Sequence, residues 1–227
     1  MTDKSMWANV FAEIVNERRS IRAFKPQPVA EELLEKIFTL AQRAPSNCNT
    51  QPWLVHVASG DSCERLREAL PRGMMSGEFT LDFPFDGVYQ GVYKERQYDS
   101  AQQLYSAVGV AREDKAGRQQ VFMKNFQFFD APHVAFLFLP EQFGIREAAD
   151  LGMYAQNLML AMVAHGLACC PQTALSFHAD KIREVLAIDS SLKLLFGISF
   201  GYADEAAPIN DAKTGRATLS DSVIFHR

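Results

Sequence analysis

Residues Ala44 to Trp53 read APSNCNTQPW, and how they are read decides the fold. Ser46, Asn47, Asn49, Thr50 and Gln51 lie between Pro45 and Pro52, straight after an apolar helical pattern. Such a run cannot build a core. It gathers short hydrogen-bonding groups at a helix end. Ser, Asn and Pro dominate ordinary turns, so one reading is a capped turn. The other is a binding loop. Upstream, Glu17 to Phe24 read ERRSIRAF, which sets Arg18, Arg19, Ser20 and Arg22 directly after another helix. Near the far end stands Lys213-Thr214-Gly215-Arg216. Each cluster alone reads as solvated surface. Together they form a set of anion and polar binders, and arginines from both chain ends can meet at one phosphate. Guanidinium forks match that dianion.

Composition narrows the class. The chain has 227 residues and 48% hydrophobic content, enough for one well-buried core with or without excursions. Its net charge of −4 argues against nucleic acid and anionic membrane as partners. Cys48, Cys63, Cys169 and Cys170 show neither CxxC spacing nor a His–Cys cluster for zinc, so no metal is expected. The adjacent Cys169-Cys170 is either a redox pair or apolar filling of a buried strand, and the burial habit of free cysteine favours filling. Few cysteines, and a start, MTDKSMWANV, without an apolar leader, point to the cytoplasm. No segment is long and apolar enough to span a bilayer.

Apolar periodicity lays out the elements. Trp7, Val10, Phe11, Ile14 and Val15 predict an opening helix that ends near the arginines. Leu33, Leu34, Ile37, Leu40 and Ala41 predict a second, over about 30–44, stopped by Pro45. Trp53 to Ala58 reads as a strand. Asp61 with Glu64 reads as a capping box for a helix carrying Leu66 and Leu70. From about 71 to 118, Pro71, Gly73, Gly77, Pro84 and Gly87 break the pattern, and the segment reads as an excursion or lid holding one helix around Tyr98 to Val108. Asp114 to Phe129 reads as helical. HVAFLFL, His133 to Leu139, is a strand that must be covered on both faces. Arg146 to His165 is a helix apolar almost all round, suited to the middle of a structure or a subunit interface, with Gly166 as its C′ residue. Leu167 to Thr173 and Leu192 to Tyr202 are strands, and Asp180 caps a short helix to Leu186. Val223-Ile224-Phe225 closes the chain with a strand-like triplet. The sum is one α+β layered domain over 1–227 with about four or five strands, and the lack of strict alternation disfavours a doubly wound fold.

Familiar catalytic motifs are missing. There is no GxGxxG after a strand, no Walker A and no GxSxG elbow. His133 and His165 read as structural, at a strand start and a helix end.

The motifs nonetheless resemble a known set. ERRSIRAF resembles the opening RRSxRxF of the nitroreductase family of FMN-dependent oxidoreductases, and APSNCNTQPW resembles that family's PSxxNxQPW. FFDAPHVAFLF resembles its middle strand, DLGMYAQNLMLAMVAHGLA its central helix, and PINDAKTGRATL the tail that returns an arginine to the phosphate. The likeness covers nearly the whole chain. The stretch from Gly87 to Phe129 is similar to the excursion of a nitrobenzoate-reductase-like branch.

The resemblance implies a central mixed, mainly antiparallel sheet flanked by helices. It implies a homodimer that exchanges C-terminal strands and holds two FMN between its subunits. By motif position, Arg18, Arg19, Ser20, Arg22 and Arg216 would hold the phosphate and ribityl chain. Pro45, Ser46, Asn47 and Asn49 would come from the other subunit, and Gln51 is a further cofactor-binding candidate. Pro171, Gln172, Thr173 and Ala174 would line the isoalloxazine ring, although some relatives carry Glu-Gly in place of Thr173-Ala174. Lys124 or Asn125 would reach the pyrimidine edge, and the resemblance does not choose between them. Tyr89, Tyr93 and Arg96 are candidate contacts for a flat, acidic aromatic acceptor. FMN carries the chemistry, so no catalytic side chain is implied. NAD(P)H is the expected reductant, and nitroaromatics or quinones the expected acceptors. Two alternatives stay open: another flavin reaction on the same scaffold (reductive dehalogenation, dehydrogenation or flavin cleavage), or flavin binding without turnover.

Overall fold

The strand His133–Pro140 has no polar side chain after His133, so its alternating side chains demand apolar cover on both faces. The computed structural model, which describes residues 4–227, provides that cover. Residues 1–3, the first of the stretch read as lacking a leader, lie outside the described residues. The elements in order are α1 (Lys4–Glu17), α2 (Glu31–Ala41), β1 (Leu54–Ser59), α3 (Asp61–Ser76), α4 (Gly91–Ala107), α5 (Lys115–Met123), β2 (His133–Pro140), α6 (Ile145–Ala164), β3 (Ala168–Gln172), α7 (Ala179–Leu186) and β4 (Leu192–Gly201). The sheet order is β1-β2-β4-β3, and every neighbouring pair is antiparallel. The parallel component expected of a mixed sheet is confined, at this sheet, to an isolated bridge between Ser20 and Cys169 on the β3 edge.

Alternation along β2 divides the core. Val134, Phe136 and Phe138 face one cluster, which contains Leu66 and Leu70 of α3 and Ile182 of α7. Ala135, Leu137 and Leu139 face the other, with Ile37 of α2 and Leu151, Tyr154 and Leu158 of α6. Cys169 and Cys170 obey the same rule and fall into opposite clusters. Burial pushes their thiols up, to about 12 and about 11. They are inert filling. The far side of α6 stays open, with Ile145 at 89% and Met153 at 40% exposure. The apolar face of α1 is exposed as well, including Trp7, Val10 and Phe11.

Several local expectations need correction. The α3 cap is Gly60 in a positive-φ conformation (φ 52°), with no side-chain cap; Asp61 is already helical, and Glu64 pairs with Arg67. Pro71 does not end α3, which runs to Ser76 because Leu70 and Gly73 are buried there and the Gly73 backbone lies against the His178 ring. A Cβ at Gly73 would meet that ring at 3.1 Å. The α7 cap position is His178, and Asp180 instead accepts the Thr80 hydroxyl. The helix expected over 114–129 is α5 followed by a 3-10 segment, Lys124–Asp130. There Phe128, Phe129 and Asp130 take positive φ of 59°, 53° and 65°, turning two phenylalanines into the core before β2. Val223 to Phe225 joins no strand of its own chain and is exposed. No described helix is long and apolar enough to cross a membrane.

Candidate functional site

Residues 20–25 leave α1 and run along the end of the sheet. The Ile21 amide donates to the Cys169 carbonyl at 3.0 Å, and the Lys25 amide to Tyr202 at 2.8 Å. Ile21 and Phe24 are buried in the core, which turns Arg19 and Arg22 outward. The tail meets them through one buried side chain, Asn210. Its Oδ1 accepts from the Arg22 amide at 2.7 Å, and its Nδ2 donates to the carbonyls of Ala23 and Asp204 at 2.9 and 2.8 Å. Arg19 donates to the Asn210 carbonyl.

This clamp closes a groove of about 540 Å³ lined by Arg18, Arg19, Ser20, Arg22, Lys213 and Arg216, with Glu17 its one acid. Among the described residues none of these arginines makes an ion pair. Arg22 and Arg216 reach only nearby oxygens of Ser20, Thr214 and Gly215. Cations that so outnumber their one acid repel one another, and a bound dianion relieves that. The donor set therefore fits the phosphate of FMN. Ser100 and Leu104 of α4 wall the groove. An adjoining groove of about 880 Å³ shares Ser100, Thr214 and Arg216 and adds Arg96.

The polar loop is strained and braced. Cys48, Asn49 and Gln51 all have positive φ (51°, 56° and 47°), which is uncommon for residues other than glycine. Ser46 Oγ accepts from the Gln51 amide at 3.0 Å, and Gln51 Nε2 donates to Asn49 O at 3.2 Å. Buried Asp150 of α6 accepts from the Asn47 amide at 3.0 Å. Trp53 stacks on Tyr154 with ring centroids 5.0 Å apart, fixing the far end. Pro45, Asn47 and Asn49 are exposed, yet no residue of 45–51 lines the arginine grooves of its own chain.

The remaining candidates separate by what their side chains already do. Gln172 is buried, donating to Asn125 at 3.1 Å and accepting from Ser199. Asn125 also donates to Phe122 O at 2.8 Å. Both amides are thus committed inside the protein, which leaves the exposed Lys124 as the outward group. Pro171 and Ala174 are half-buried, and Thr173 is exposed. Tyr89 and Tyr93 are exposed and line neither groove. The Arg96 guanidinium lies 5.8 Å from the Tyr93 ring centroid. Asn210 and Asp150 were missed by sequence reasoning. Asp150 carried a signal, since an acid inside an apolar helix needs a partner.

Residues 15–202 match the model of the nitroreductase family. The chain belongs to that family. It is 47% identical to nitroreductase NfnB of Mycolicibacterium smegmatis over 97% of this chain and 94% of that one. It is 34% identical to a 4-nitrobenzoate reductase of Pseudomonas putida, over 91% of each. Among solved structures it resembles the FMN-dependent nitroreductase NfnB from Mycobacterium smegmatis, in complex with NADPH: TM-score 0.94, 46% identity, 97% of this chain and 100% of that one. The nitroreductase model stops before Arg216, so the tail arginine rests on the groove geometry.

Proposed function

We propose that this chain is an FMN-dependent nitroreductase that oxidises NAD(P)H and reduces nitroaromatic or quinone acceptors. The observation that carries the reading is the groove of unpaired arginines drawn from both chain ends. The solved NfnB structure named above, FMN-dependent by its description and in complex with NADPH, supports it, as do the nitroreductase names of the relatives. Bound FMN supplies the redox chemistry, taking two electrons and a proton from NAD(P)H and passing them to the acceptor in alternate half-reactions.

The chain's own residues bind and orient. Arg18, Arg19, Arg22 and Arg216 hold the phosphate, with Ser20 toward the ribityl chain. Pro171, Thr173, Ala174 and the backbone of Gln172 line the ring. Lys124 sets a positive charge near the pyrimidine edge, where charge tunes the flavin. The protein works as a homodimer in which Pro45, Ser46, Asn47, Asn49 and Gln51 come from the second subunit. The exposed apolar faces of α1 and α6 suit that interface. Each chain is one domain whose excursion, centred on α4, serves as a lid presenting Tyr89, Tyr93 and Arg96 to a flat acceptor. Four free thiols, Cys48 exposed among them, suit the cytoplasm.

Purified protein should be yellow, release FMN on denaturation, and bleach under anaerobic NADPH. A colourless protein that takes up no added FMN sinks the reading.

A further inference from the structure

A second cleft of about 540 Å³ lies against α4. Its walls include Tyr98, Gln102, Tyr105 and Ser106, with Arg112 and Arg118 from beyond the helix. At 100° per residue, Tyr98, Gln102 and Tyr105 share one face of α4, while Arg96, Ser100 and Leu104 share the opposite one. The cleft is therefore separate from the phosphate groove. No acidic residue lines it. Neither Arg112 nor Arg118 makes an ion pair among the described residues, and Arg118 Nε is buried with no hydrogen-bond partner. A half-buried guanidinium without a counter-charge is costly, and an anion in the cleft would supply that charge. Two phenol rings beside two guanidiniums suit an anionic group attached to a flat ring. The volume falls within the usual range for small-molecule sites, about 300–1,000 Å³.

We propose that this cleft takes the adenosine end of NADPH, with Arg112 and Arg118 on the 2′-phosphate and Tyr98 and Tyr105 beside the purine. The inference rests on the NAD(P)H reading above and deepens it, because the cleft then distinguishes NADPH from NADH. A phosphomonoester is favoured over an acceptor's carboxylate. It carries more charge and more oxygens for two guanidiniums, and Arg96 already offers a carboxylate contact on the other face of α4.

The test is calorimetric titration of the FMN-loaded protein with adenosine 2′,5′-bisphosphate, using adenosine 5′-monophosphate as reference. The bisphosphate should bind about tenfold more tightly or better. Arg112→Gln and Arg118→Gln should each remove most of that difference. Arg112 is exposed, so its variant gives a result even if Arg118→Gln fails to fold. In steady state both variants should raise KM for NADPH more than KM for NADH or for 4-nitrobenzoate. Equal binding of the two nucleotides by the unaltered protein overturns the proposal, and so does a preference that survives both substitutions. A rise confined to 4-nitrobenzoate assigns the cleft to a carboxylate instead. The titration needs no turnover. Failure of NADPH to reduce the bound flavin would therefore count against the functional reading, while the bisphosphate result decides the cleft by itself.

Discussion

Asn210 ties the Arg22 amide, the Ala23 carbonyl and the Asp204 carbonyl of its own loop together through three side-chain hydrogen bonds beside the arginine groove. Arg22→Glu or Arg216→Glu removes one charge-assisted contact and adds repulsion. Each should weaken FMN binding by about 2 kcal/mol or more. Riboflavin, lacking the phosphate, should bind nearly as before; equal weakening of both ligands would make these folding residues. The same scale explains pH dependence. His133 Nε2 accepts from the Val29 amide at 2.9 Å, so Nδ1 keeps its proton for Ser59 Oγ. Burial lowers its pKa below the usual 6.5. As pH falls through about 6.5 the unfolded chain takes up a proton that the native chain refuses. Stability is thus full above that pH and lost as pH drops toward the native value, where the loss levels off. Urea midpoints should decline from pH 7 to pH 5, and more shallowly in His133→Asn. His56 and His178, also lowered by burial, retain part of the slope. An unaltered slope in the variant would free His133 of this role.

Edges and lids are properties of elements. The outer edge of β1 is unpaired within the described residues, and Leu54 and Val57 on it are 43% and 41% exposed. A free apolar edge invites another strand. Val223 to Phe225, exposed on its own chain, supplies one if it crosses to a second subunit. Removing residues 220–227 should therefore loosen the proposed dimer measurably, and an unchanged dissociation constant refutes the exchange. On α4, Arg96→Ala should raise KM for carboxylated nitroarenes more than for neutral quinones; matched effects take Arg96 out of the acceptor site. Helices and strands were legible because their apolar repeats are long: β2, α6 and β4 stand where periodicity placed them. Their ends were less so. Gly60 displaced Asp61 as the cap by adopting a positive-φ backbone open to glycine, and tertiary packing carried α3 past Pro71. In the site, the arginines were visible as a cluster. Asn210 was not, since nothing local distinguishes a buried loop asparagine from an exposed one.

For the whole molecule, the two halves of the proposed flavin site sit apart on one chain: arginines at the β3 edge, polar loop at the start of β1. If they meet only between subunits, mixed dimers should complement. One parent carries Arg22→Glu with Arg216→Glu; the other has bulky residues at Ser46 and Asn49. Each homodimer has two damaged sites. A heterodimer collects both lesions in one site and none in the other, so co-refolding should restore about one active site per heterodimer. Folded heterodimers as inactive as their parents would refute the arrangement. One feature of α4 reaches further. It has no buried residue, whereas the sheet beneath Thr173–Phe177 is packed so tightly that a Cβ at Gly197 would meet Leu175 at 2.6 Å. Surface substitutions usually shift stability by less than about 0.5 kcal/mol. If α4 walls the acceptor site as proposed, its residues outside the two grooves can change at little cost in stability while the sheet stays fixed. On that reading, a lineage meeting a new aromatic acceptor would find its cheapest substitutions laid out along one helix.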